Sequence, residues 1–251
     1  MKEQFSCQRD DLTIRGHVWG RGEAPKPAVI LSHGFTANES TCHRYAELLA
    51  EMGYVAFTFD FCGGGLGCRS DGRTEDMTVL TELEDLFAVL DYVRKQPYVD
   101  PAHISLLGCS QGGFVSAMAA KRLGDEIERL ILFYPALCIP DDARAGKMIM
   151  YEFDPANVPD ILGEIPMRIG GDYARVMMDM DAFQEIAGYC GKTLILHGTE
   201  DAIVDVSYAR RAEKLYSNCR YVEISGAGHG FADAYDEQAC DALRAFIQED
   251  I

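Results

Sequence analysis

The chain lacks any apolar run approaching the roughly 20 residues that a membrane-spanning helix needs. Its opening stretch, MKEQFSCQRDDLTIRGHVWG, holds no apolar core of the kind a secretory signal carries. A soluble, cytoplasmic protein is the expectation. Positive charge is scarce: Asp and Glu outnumber Lys and Arg 40 to 23, the formal net charge is −17, and no cluster of basic residues stands out. Nucleic acid and anionic membrane surfaces are thereby set aside as partners, because cationic side chains hold both. Cysteine is present but its pairing patterns are missing. The nine thiols, at Cys7, Cys42, Cys62, Cys68, Cys109, Cys138, Cys190, Cys219 and Cys240, form no CxxC pair and no Cys/His set with zinc spacing. No metal site is expected, and the thiols read as mostly buried and reduced, Cys109 among them as a small hydrophobe.

What is there suits one globular domain with a large core: 251 residues, 48% hydrophobic and 25% charged. Short β-rich runs alternate with helical patterns. The runs AVILSHG (28–34), YVAFTFD (54–60), HISLLG (103–108), LILFYP (130–135), TLILHG (193–198) and YVEISG (221–226) are apolar or β-branched and end in turn residues. Buried parallel strands have that composition. Between them, Met77, Leu80, Leu83, Leu86, Phe87, Leu90 and Val93 recur at helical spacing over 77–95, so one face of that helix belongs to the core. Residues 40–52, 111–122, 207–217 and 236–248 read as further helices, and 5–19 as an antiparallel strand pair. The sum is an α/β fold, a mostly parallel doubly wound sheet with an antiparallel N-terminal edge.

One segment breaks the alternation. From 136 to 188 the sequence is irregular and rich in Met, Asp, Gly and Pro, too long for an ordinary loop. It is expected to be an inserted cap, or lid, over the strand ends, within a core formed by 1–135 and 189–251.

The stretch LLGCSQGGF carries the chemistry. A strand running into Gly108-Cys109-Ser110-Gln111-Gly112 and then into a helix is the setting of a nucleophile elbow, where glycines make room for a serine on a strained turn. A serine hydroxyl is a weak nucleophile until a base takes its proton and an acid orients that base. On such a sheet the acid and the histidine follow the serine in that order. LILHGTEDAIV supplies Asp201 after one expected strand, preferred over its neighbours Glu200 and Asp205, and EISGAGHGF supplies His229 after the next. All three then lie at the carboxyl edge of the sheet, where open α/β sheets bind ligands. His17, His43 and His103 fall away from that edge. His33 and His197 reach it, but in the wrong order or too close to the acid, and take structural hydrogen-bonding roles.

The segments LSHGFTANES, FDFCGGGLGCRSDG, GCSQGG, LHGTEDAIV and GAGHGF together resemble the five landmark segments of α/β-hydrolase serine esterases. The stretch RTEDMTVLTELEDLFAVLDYVRKQPYVD, with ANVPD and GGDY in the cap, is similar to bacterial feruloyl, or cinnamoyl, esterases over about 25–250. The resemblance implies an α/β-hydrolase fold and a serine esterase that needs no cofactor, with Ser110, His229 and Asp201 as nucleophile, base and orienting acid. It implies an oxyanion hole made by the backbone N–H groups of Phe35 and Gln111. It also implies that Asp142, in the cap, is the polar residue that meets a phenolic hydroxyl. Two departures accompany it. CGGGLGCRSDG is longer than the usual Arg-Gly-His-Gly and is expected to reshape the pocket rim. Met148, Ile149 and Met150 are apolar where a phenolic ester calls for polar contacts.

The expected activity is hydrolysis of a small carboxylic ester through an acyl-enzyme, of cinnamoyl or short-chain acyl type. A thioesterase or an oligopeptidase-like hydrolase would use the same triad; the oligopeptidase-like reading also calls for a propeller domain ahead of the sheet, which these residues do not contain. A non-catalytic binder would tolerate loss of a triad member, and none is lost. Cap methionines, if exposed, would suit a homodimer.

Overall fold

The computed structural model describes residues 2–148, 151–164 and 167–249. An antiparallel hairpin opens the chain, β1 (Lys2–Arg9) and β2 (Leu12–Trp19), followed by β3 (Lys26–Ser32), α1 (His43–Glu51), β4 (Val55–Phe59) and α2 (Val79–Arg94). Next come β5 (Val99–Cys109), α3 (Gln111–Leu123) and β6 (Arg129–Phe133). After an interruption the pattern resumes with β11 (Lys192–Gly198), α7 (Val206–Glu213), β12 (Cys219–Ile224) and α8 (Ala234–Gln248). The eight strands form one sheet in the order β1-β2-β4-β3-β5-β6-β11-β12, antiparallel at the β1-β2-β4 edge and parallel from β4 onward. This is the expected α/β-hydrolase architecture.

Successive side chains of a strand point to opposite faces, so a sheet covered on both sides favours apolar residues on both. On β3, Ala28 and Ile30 join one core cluster while Val29 and Leu31 join the other. On β6, Leu130 and Leu132 part from Ile131 and Phe133 in the same way. Residues of α2 and α3 pack in the first cluster, those of α1 and α8 in the second.

Helix α2 departs from its expected stripe. Leu80 and Phe87 are only half-buried, whereas Glu82 and Asp85 lie on the buried face beside Leu83, Leu86, Val89, Leu90 and Val93. Both acids have polar partners: Asp85 takes the Arg9 guanidinium and the Cys62 N–H, and Glu82 takes the Gln111 amide. A buried polar group needs such a partner to be tolerated.

The irregular stretch between β6 and β11 contains α4 (Ile139–Arg144), a ribbon of β7 (Lys147–Met148) and β8 (Tyr151–Glu152), and a second ribbon of β9 (Ile161–Leu162) and β10 (Ile169–Gly170). It ends in α5 (Gly171–Met178) and α6 (Ala182–Ile186). Among its described methionines, Met148, Met167 and Met177 are buried and Met178 and Met180 half-buried. None of these methionines is fully exposed. All nine cysteines are free thiols, with Cys42, Cys62, Cys109, Cys138 and Cys240 buried.

Candidate active site

Strand β5 runs straight into Ser110, and α3 begins at the next residue. Ser110 sits at φ 54°, a left-handed backbone that costs a non-glycine residue energy and persists only when its surroundings hold it. Here they do: the Ser110 N–H donates to the Phe133 carbonyl, and the Ser110 carbonyl accepts from Gly113, Phe114 and Ala136. The flanking glycines are there for space. A Cβ on Gly108 would stand 2.2 Å from the Gly112 carbonyl oxygen, and one on Gly112 would stand 2.3 Å from that of His33.

Asp201 lies just after β11 and His229 after β12, the strands that continue the sheet beyond β6. His229 Nδ1 donates to Asp201 Oδ2 at 2.8 Å, which leaves Nε2 as the acceptor for the Ser110 hydroxyl at 2.9 Å. The Tyr134 ring meets the imidazole edge-on at a centroid distance of 4.8 Å. Asp201 is fixed at both oxygens: Oδ1 accepts from the Ile203 and Val204 N–H groups, and Oδ2 also lies 3.2 Å from His197 Nε2. Its side chain is fully buried. Burial alone would raise its pKa, but the hydrogen bonds from His197, His229 and Val204 and the charge of His229 outweigh that and hold it well below the usual carboxylate range. The three residues expected from the sequence are brought together, and Glu200 and Asp205 are not part of the chain of bonds.

The other histidines have structural settings. His33 donates from Nδ1 to the Gly34 carbonyl and accepts the Phe61 N–H at Nε2, so it ties the loop after β3 to the loop after β4. Burial pushes its pKa down, in keeping with a neutral ring. His197 donates to the Val204 carbonyl as well as approaching Asp201. His17 and His43 gather around Glu39, and His103 faces Asp100 and Glu128.

Phe35 and Gln111 both adjoin the serine. A Cβ on Gly34 would stand 3.0 Å from Ser110 Cβ, and Gln111 is the first residue of α3, whose N-terminal N–H groups have no acceptor within the helix. Neither N–H donates to another protein group among the described residues. A cavity of about 130 Å³ opens at Ser110. The loops contribute Phe35, Gln111, Ala202, Ile203 and Val204 to its lining, and the 136–188 segment contributes Cys138, Ile139, Asp142, Lys147, Met148 and Tyr173. Asp142 is thus at the cavity, as expected, and so is Met148; Ile149 and Met150 lie outside the described residues.

The Cys62–Gly72 loop corrects an expectation. None of its residues lines the cavity; it braces the loop after β3 from behind, through the Thr36–Gly65 bridge, Leu66 N–H to the Thr36 carbonyl and Asn38 to the Leu66 carbonyl. Sequence reasoning also passed over Tyr173, Lys147 and Glu82. The available signal was an acid, Glu82, at a stripe position of α2 between Val79 and Leu86.

Two groups of metal-binding residue types occur among the described residues, His17–Glu39–His43 and His33–Asp60–Cys68. In the first, Arg69 bonds both Glu39 and His17, and Lys2 contacts His43, so cations already engage the ligand atoms. In the second, both ring nitrogens of His33 are engaged. Neither includes Ser110, Asp201 or His229.

Comparison with known proteins supports the fold. A family model described as "Serine aminopeptidase, S33" matches residues 23–163. Est1E from Butyrivibrio proteoclasticus, solved with ferulic acid bound, superposes with a TM-score of 0.90 at 31% identity, over 98% of each chain. Thiohydrolase aneE of Aspergillus aculeatus is 30% identical over 62% of this chain and 44% of its own length. Esterase LipC of Mycobacterium tuberculosis is 28% identical over 88% of this chain and 58% of its own. The chain thus spans about half the length of these two curated relatives. No helix among the described residues is long and apolar enough to cross a membrane. The family match and the overlap with Est1E lead to one conclusion: this chain belongs to the serine aminopeptidase, S33, family of α/β hydrolases.

Proposed function

We propose that the protein hydrolyses small carboxylic esters through an acyl-enzyme on Ser110. The observation that carries the reading is the unbroken run of hydrogen bonds from Asp201 through His229 to a strained Ser110 that opens into the cavity. In the first step Ser110 Oγ attacks the ester carbonyl carbon while His229 Nε2 takes its proton. Asp201, ionised and buried, stabilises the imidazolium that forms. The negative charge on the carbonyl oxygen is held by the N–H groups of Phe35 and Gln111, which need no reorganisation to receive it. His229 then returns its proton to the departing alkoxide. Water, activated by the same imidazole, releases the acid and restores Ser110.

The lining supports a compact, mainly apolar acyl group, with Ile139, Met148 and Val204 around it and Asp142 as a hydroxyl partner. The volume, about 130 Å³, lies below the roughly 300 Å³ at which drug-sized sites begin. A cinnamoyl- or feruloyl-type acid, or a short-chain acyl group, has that character, and the ferulic acid bound to Est1E supports the former. In this reading residues 136–188 are a cap that selects the substrate, and no cofactor takes part.

Thioester hydrolysis is the second reading, favoured by the likeness to thiohydrolase aneE; it uses the same residues with a thiolate leaving group. The test compares wild type with Ser110→Ala on p-nitrophenyl acetate, methyl ferulate and a short acyl thioester. Loss of the hydroxyl is expected to lower kcat on the order of a million-fold. Turnover of both oxygen esters supports the aromatic-acid reading, a preference for the thioester supports the second, and activity that survives in Ser110→Ala overturns both.

A further inference from the structure

From the cavity wall into the core runs a line of three buried polar side chains that the hydrolytic steps do not use. Glu82 of α2, Gln111 at the start of α3 and Tyr173 of α5 are 1%, 1% and 2% exposed. The Gln111 amide donates from Nε2 to Glu82 Oε2 at 2.8 Å, and the Tyr173 hydroxyl donates to Gln111 Oε1. The Tyr173 ring also lies 5.8 Å, centroid to centroid, from the ring of Phe35. One residue of the 136–188 segment therefore touches both residues whose N–H groups adjoin Ser110.

We propose that Glu82, Gln111 and Tyr173 form a positioning strut that ties the 136–188 segment to the Ser110–Gln111 peptide and holds the N–H groups of Phe35 and Gln111 at fixed spacing. In this arrangement the Tyr173 hydroxyl is engaged by Gln111. The inference rests on the reading of those two N–H groups as the oxyanion donors.

Charge explains why the line ends on a carboxyl group. An ionised Glu82 behind the donors would oppose the negative charge that develops on the carbonyl oxygen. Burial pushes the Glu82 pKa well above the usual carboxylate range and Asp85 pushes the same way, against the bond from Gln111. A neutral acid accepts from Gln111 without adding a repulsive charge. A glutamine at position 82 offers the same acceptor; a leucine does not.

The test measures kcat and KM on p-nitrophenyl acetate, which has no phenolic acid group, with active sites counted by burst titration with a phosphonate ester. Tyr173→Phe is expected to lower kcat about tenfold, less than loss of a whole oxyanion donor, while KM stays within about twofold. Glu82→Leu is expected to match it. Glu82→Gln is expected to keep kcat within about twofold of wild type with an unchanged pH profile. Wild-type kcat in Tyr173→Phe, or a fall in Glu82→Gln as deep as in Glu82→Leu, overturns the strut while leaving the ester reading intact. A wild-type protein that neither reacts with the phosphonate nor turns over the ester overturns the ester reading, and the strut with it.

Discussion

The loops at the carboxyl edge of the sheet and the 136–188 segment line one cavity by different physical means. The loops inherit their positions from parallel strands: Ser110 is bonded to the end of β6, and Asp201 and His229 follow neighbouring strands whose registers are fixed by continuous ladders. The segment is built from helices of five to eight residues and two-residue ribbons. Side chains reaching to backbone hold it together: Arg144 to the Met178 and Met180 carbonyls, Arg175 to that of Val158, Tyr151 to that of Met167. Changing the first region means breaking the sheet, whereas the second can be rebuilt residue by residue. The proposed reaction chemistry and the proposed substrate choice thus rest on parts held by different kinds of bond.

The sharpest way to break this division is at the edge. Asp201→Asn removes the acceptor that fixes the His229 tautomer, and kcat on every ester is expected to fall about ten-thousandfold. A comparable loss seen only on aromatic esters would mean that the edge also selects substrate. In the segment, Asp142→Ala is expected to raise KM for methyl ferulate about tenfold, the worth of one hydrogen bond, and to leave p-nitrophenyl acetate unchanged. Steady-state kinetics on the two esters reads both variants.

Stability offers smaller effects. Glu82 keeps its proton in the fold to a pH above its ordinary value of roughly 4.3. Above that value the unfolded chain has released a proton that the folded chain retains, so stability falls as pH rises toward the folded pKa. Urea unfolding is expected to show Glu82→Gln gaining on wild type as pH increases across that window; a constant gap would mean that Glu82 is ionised when folded. Smallest of all, Arg244→Ala, at a half-exposed surface pair with Asp241, is expected to cost less than about 1 kcal/mol, or roughly 2–4 °C in Tm.

Much of the edge was legible in the sequence because its physics is local. Strands buried on both faces hold few polar residues, which is why AVILSHG and LILFYP stand out, and the elbow needs Gly108 and Gly112 within two residues of Ser110. The segment was opaque because two-residue strands and the five residues of α6 complete no period that a pattern search could detect. Glu82 was hidden for another reason. An acid on a helix reads as solvent-facing, and its partner Gln111 lies 29 residues away, in turn 62 residues from Tyr173. The loop CGGGLGCRSDG looked like a pocket rim because it follows a strand at the correct edge; its bridge to Thr36 turns it into a brace instead.

The order β5-β6-β11-β12 has a consequence for how the chain reaches its active form. Ser110 and His229 are separated by 119 residues, and they meet only after β11 has paired with β6 across the whole interrupted segment. Closing so long a loop is among the slower events available to a folding chain. Regained ester turnover should therefore trail regained helix and strand signals during refolding, which makes catalysis itself a clock for the final closure of the sheet.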